Sequence, residues 1–142
     1  LFFSIECNEE VRFNSLTKAE SAVKGSNLML ARYLLSDVRS IFEICQMWDS
    51  GAAPEIENQP VISDIPALVL AGEYDPLTPP TWGEQTAQNL LNSYYFLFPA
   101  AGHAVIDSGE CPSLLIAEFL ANPTTPPQAT CLQDQKINFW LP

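Results

Sequence analysis

Positive charge is what this sequence has least of. Six Lys and Arg residues face seventeen Asp and Glu, giving a formal net charge of −11 over 142 residues. A surface of that sign repels phosphate backbones and anionic bilayers, so neither nucleic acid nor a membrane surface is an expected partner. The acids are scattered rather than blocked, which reads as a soluble, self-repelling exterior. Histidine occurs once, and the four cysteines never adopt C-x-x-C spacing. That is too sparse a ligand set for zinc, so no metal and no cofactor is expected. No apolar run approaches the roughly 20 residues of a membrane-spanning helix. Neither an initiator Met nor a signal peptide opens the chain, which reads as an excised or processed piece. A nucleophile elbow is missing too. It needs Gly two residues before and two after a serine, and no serine here has Gly even at the first of those positions. Cys111 does follow Gly109 by two, but Pro112 and Ser113 replace the required continuation.

What is present fits about one domain, long enough to bury a real core. The chain is organised around Pro66 to Pro80, PALVLAGEYDPLTPP. Ala67 to Ala71 is an apolar run too short for a helix and suited to a strand covered on both faces. Gly72 ends it, and Glu73-Tyr74-Asp75-Pro76 places two carboxylates at the strand's carboxyl end. Pro79 and Pro80 fit the first turn of a helix running to Leu91, with Thr78 as its N-cap. Ala87, Leu90 and Leu91 would turn toward a sheet. Asn92 to Phe98 is a second strand, and Pro99-Ala100-Ala101-Gly102-His103 is its exit loop. Sites in open α/β sheets lie outside the carboxyl ends of strands.

A strand ending in Asp, a helix, and a strand ending in Gly-His form the back half of a Ser…Asp…His order on an α/β-hydrolase sheet. Together with Pro60 to Pro66, the Gly72–Pro80 block and Cys111 before an apolar helix, this text resembles the C-terminal part of secreted tripeptidyl-aminopeptidase-like (TAP-like) serine hydrolases. The resemblance is densest from Pro60 to Phe119. It implies the last strands and helices of an α/β-hydrolase fold with an incomplete sheet. Residues 1–59 would then be a lid-following, helical segment, and residues 60–142 the portion carrying the acid and base loops. It further implies that Asp75 and His103 are two members of a Ser-Asp-His triad whose serine lies outside this chain. The substrate would be a peptide with a free N-terminus, although relatives of this fold also cleave esters. Glu73 is the second candidate for the acid.

Glu6, Glu9 and Glu10 crowd around Cys7, where the family has a similar Cys-x-Glu-Glu stretch. Glu9 or Glu10 could hold a substrate α-ammonium group. Two disulfides in an oxidising compartment fit the cysteines, hence a secreted or periplasmic protein. Three pairings exist, of which Cys7–Cys45 and Cys111–Cys131 are favoured; the latter would staple a proline-rich tail across a helix. An alternative function is a non-catalytic binding or assembly domain of the same descent.

The remaining elements are read from periodicity. Leu1 to Ile5 is a candidate strand without an evident partner. Asn27 caps a helical region in which Leu28, Ala31, Leu35, Val38, Phe42 and Cys45 form one apolar face, with Ser36-Asp37 as a possible restart. Tyr33, Met47 and Trp48 read as packing residues. Residues 49–64 form a loop. Pro112 to Ala121 is a helix with Leu115, Ile116, Phe119 and Leu120 inward, and residues 122–128 a surface connection. Residues 137–140 could be a short strand. Both strands are apolar throughout and want an edge neighbour, so the chain is expected to pair with the missing hydrolase portion or with a second copy.

Overall fold

A computed structural model describes residues 1–137. The terminal strand expected at residues 137–140 lies almost wholly outside the described residues. The chain divides into two compact units, Leu1–Gln59 and Pro60–Pro142.

The first unit is helical. Leu1 to Ile5 is no strand: α1 (Phe2–Ile5) runs through a π-helical turn (Glu6–Glu10) into α2 (Val11–Phe13). A lone strand here would leave its ladder groups unpaired, whereas a helix satisfies them within the segment. The wide turn buries Cys7, which is bonded to Cys45 with a Cα–Cα separation of 5.0 Å. α3 (Leu16–Ala22) is capped by Ser15, whose hydroxyl accepts from the Lys18 amide at 3.2 Å. α4 (Leu28–Met47) begins at Asn27, whose side-chain oxygen accepts from Met29 and Leu30.

α4 is unbroken. Ser36 does not restart it; its carbonyl accepts from the Ser40 hydroxyl at 3.0 Å while the helix continues. Ala31, Leu35, Val38, Ile41, Phe42 and Cys45 form its half-buried face. Leu28, expected on that face, is exposed, as are Tyr33 and Met47, both expected to pack. Trp48 packs on Phe3, with ring centroids 6.2 Å apart. The loop beyond α4 is held by Asn8, whose side chain donates to Ser50 O at 2.7 Å and whose carbonyl accepts from Ala53.

The second unit is a β-α-β core with one further helix. β1 (Ala67–Gly72) and β2 (Ser93–Phe98) pair in parallel, with Ala67 opposite Ser93 and Gly72 opposite Phe98. α5 (Pro80–Asn89) connects them and α6 (Glu110–Ala121) follows. Alternation sends successive side chains to opposite faces. Val69, Ala71 and Tyr95 meet α5, where a Cβ on Gly83 would lie 3.2–3.6 Å from all three. Leu70, Phe96 and Phe98 pack on the other face with Leu115, Val105, Ala101 and Cys111. Both sheet faces are thus covered by helices, as a short apolar parallel pair requires. This is an α/β fold with a small, incomplete sheet.

Details depart from the expectations. Pro79, not Thr78, occupies the N-cap of α5, and it makes no side-chain cap. Leu91 and Leu120 are exposed rather than inward. α5 ends before Leu91, and Leu120 points away from the face on which its neighbour Phe119 packs against Tyr94 of β2, ring centroids 6.3 Å apart. Cys111–Cys131 closes at a Cα–Cα separation of 5.7 Å, so the segment after residue 128 packs beside the core through Cys131 and Leu132.

Candidate functional site

Because β1 and β2 run in parallel, their exit loops emerge side by side at one end of the sheet. The two loops are laced by backbone. Glu73 N donates to Phe98 O at 3.0 Å and Tyr74 N to Ala101 O at 2.9 Å. Gly72 lies directly against the second loop: a Cβ there would strike the Gly102 carbonyl oxygen and come within 2.8 Å of that of Ala101. Only glycine permits so close an approach. Ala100 (φ 63°) and Ala104 (φ 59°) are both left-handed and flank His103. That conformation costs an alanine about 1–2 kcal/mol, so the loop's path is enforced by its contacts.

The lacing brings Asp75 and His103 together. His103 Nδ1 lies 3.0 Å from Asp75 Oδ2 and 3.2 Å from Oδ1. An imidazole carrying its proton on Nδ1 donates to either oxygen. The Asp75 side chain is 6% exposed and that of His103 51% exposed. The carboxylate is therefore sequestered while the ring is open. Among the described residues, every hydrogen bond of His103 runs through Nδ1, and Nε2 has no partner there.

Asp75 is also held from its own strand-to-helix turn. Its Oδ1 accepts from the amides of Leu77 and Thr78, both at 2.9 Å, and its Oδ2 from the Thr78 hydroxyl at 2.6 Å. Desolvation pushes its pKa upward, but the bonds from Thr78, His103 and Leu77 outweigh that and hold the carboxyl well below the usual carboxylate range. Asp75 is a fixed anion at any ordinary pH.

Glu73 is not beside the imidazole. Its Oε2 accepts from Ala100 N at 3.0 Å, on the second loop three residues before His103. Thr78, expected as a helix cap, instead bonds Asp75 and lies 3.4 Å from His103 Nδ1. The Asp-x-x-Thr spacing is a signal compatible with this role as well as with a cap, since an Asp side chain can bond the backbone and hydroxyl of its own turn. Gly72's contact carries no such signal.

Glu9 and Glu10 sit in the π-helical turn of the first unit, both exposed. Glu10 and Glu6 line a cavity of about 370 Å³ whose apolar side includes Val11, Val38, Ile41 and Phe42. Partial burial, with the Glu10 charge second, raises the pKa of Glu6.

No curated protein and no solved structure matches the chain. A family model does, the one described as TAP-like protein, over residues 31–131. With more than half of its length matched, and with helices on both faces of a small parallel sheet, the chain belongs to the TAP-like protein family of the α/β-hydrolase superfamily.

Proposed function

We propose that this chain supplies the base and the orienting acid of a serine exopeptidase, His103 and Asp75 respectively. The serine and the oxyanion-forming loop would come from outside these 142 residues. The observation that supports this reading most is the asymmetry of the pair, a sequestered carboxylate on Nδ1 of a half-exposed ring. In such a site Nε2 takes the serine Oγ proton as the oxygen attacks the scissile carbonyl, and returns it to the leaving amine. The carboxylate stays ionised throughout, fixes the Nδ1–H tautomer and stabilises the transient imidazolium.

The substrate is a peptide with a free N-terminus, and Glu9 or Glu10 meets its α-ammonium group. Two disulfides suit an oxidising compartment, so the protein works outside the cytoplasm. Its partner is the remaining hydrolase portion or a second copy of the chain.

The test is reconstitution. The isolated chain should not turn over aminoacyl or tripeptidyl chromogenic substrates, and no serine in it should react with a fluorophosphonate. Together with a TAP-like polypeptide carrying G-x-S-x-G, it should restore labelling at that serine, and His103→Ala should abolish it. Labelling of the isolated chain overturns the proposal. An assembly that forms but stays unlabelled favours a non-catalytic binding or assembly domain.

A further inference from the structure

We propose that Glu73 is a positioning residue for His103, clamping the turn at Ala100 so that the imidazole meets Asp75. This rests on the proposed Asp75–His103 pairing and adds to it a residue that touches neither the imidazole nor the substrate. Glu73 bonds the second loop twice. Its amide donates to Phe98 O, and its carboxylate accepts from Ala100 N at 3.0 Å. Just past the second attachment the chain turns about Ala100 at a left-handed φ of 63°, a conformation that an alanine leaves when nothing holds it. A charged acceptor makes one of the stronger hydrogen bonds available to an amide. With the carboxylate gone, Ala100 loses its charged partner and relaxes toward negative φ, and His103, three residues on, moves with it. Among the described residues the loop then keeps two backbone bonds, both at Ala101: the long one from its amide to Phe98 O at 3.4 Å, and the one from Tyr74 N to its carbonyl at 2.9 Å. The surface acid that sequence reading leaves as a spare triad member thus acts as a clamp.

The chain's single histidine makes the test direct. Imidazole ¹⁵N shifts of the intact chain, recorded at mildly alkaline pH, report the ratio of Nδ1–H to Nε2–H tautomers without assignment. The wild type should favour Nδ1–H. Asp75→Asn is the control for the pairing itself: if it leaves the ratio unchanged, the pairing fails, whatever Glu73 does. If the control responds, Glu73→Ala should shift the ratio toward Nε2–H by about fivefold, the equivalent of about 1 kcal/mol of lost hydrogen bond. Glu73→Gln, which keeps an acceptor at the same reach, should restore most of it. Far-UV circular dichroism verifies that each variant is folded. Should Glu73→Ala not fold, Glu73→Asp keeps the charge but falls one methylene short of Ala100, and the same shift is expected. A folded Glu73→Ala or Glu73→Asp chain with the wild-type ratio overturns the proposal, leaving Glu73 a purely structural contact.

Discussion

Thr78 reaches Asp75 from beneath while His103 reaches it from the neighbouring loop: the hydroxyl donates to Oδ2 at 2.6 Å, and Nδ1 lies 3.0 Å from the same oxygen. The carboxylate is therefore oriented by its own turn and not by the imidazole alone. Thr78→Val keeps the shape and deletes the donor. The Asp75 carboxyl should then titrate closer to the ordinary range, measured by ¹³C NMR of the aspartate carboxyls. An unchanged titration would mean that the two amide bonds and His103 hold it without the hydroxyl.

The depressed Asp75 pKa has a definite sign for acid stability. Its folded value lies below its unfolded one, so its contribution is complete above the ordinary carboxylate value of about 3.9. The contribution is lost as pH falls toward the folded value. Urea midpoints of wild type and Asp75→Asn should accordingly differ most at neutral pH and converge below about pH 4. Parallel curves down to strong acid would contradict the assignment.

Gly72→Ala is expected to be the most damaging single methyl group in the second unit. It meets two backbone carbonyls, those of Gly102 and Ala101, and neither can swing aside as a side chain would. A cost of roughly 1–3 kcal/mol is expected, read from chemical denaturation, together with a changed His103 NMR signature. A neutral substitution would show that the loop shifts freely.

All four cysteines are paired among the described residues, so thiol titration of the denatured, unreduced chain should find essentially none. The Cys111–Cys131 link spans 20 residues and the Cys7–Cys45 link 38. In the chain-entropy account their removal costs about 3 and about 4 kcal/mol respectively. Cys111→Ser/Cys131→Ser should weaken the second unit specifically, because Cys111 belongs to its buried core and Cys131 packs against that core.

The parallel pair has a described strand partner on one side of each strand only, and Val61, Ile62, Ile65, Leu77 and Trp82 are exposed on the same unit. We expect the chain not to persist as a free monomer. Charge repulsion from −11 is screened beyond about 8 Å at physiological salt, whereas strand pairing acts at contact. Light scattering at micromolar concentration decides it; a clean monomer with cooperative unfolding would refute the expectation.

Much of the second unit was legible because its signals are local. A five-residue apolar run closed by Gly72, and a proline pair at a helix start, say strand and helix within a few residues of their bounds. The meeting of Asp75 and His103 was legible only through order along the chain, strand end to strand end. What periodicity could not supply was reach. Thr78 reads equally well as a cap or as a donor to Asp75, and only the path of the turn separates the two. Leu91 continues an apolar pattern past the end of α5, and Leu120 lies off the face that Phe119 presents to Tyr94, so hydrophobicity alone turned them inward. In the first unit Leu1 to Ile5 is equally apolar in either state, and among the described residues that unit offers no strand for it to pair with.

Phe98 closes β2, is wholly buried, and through its carbonyl accepts from both Glu73 and Ala101. The ring that plugs the core and the oxygen that anchors the histidine loop thus belong to one residue. The loop cannot breathe at that point without disturbing the core beneath it. Exchange of the Glu73 amide with solvent deuterium therefore belongs to the slow, whole-unit opening and not to the fast fraying usual for loops. On heating, the histidine's setting and the unit's cooperative melting become one event.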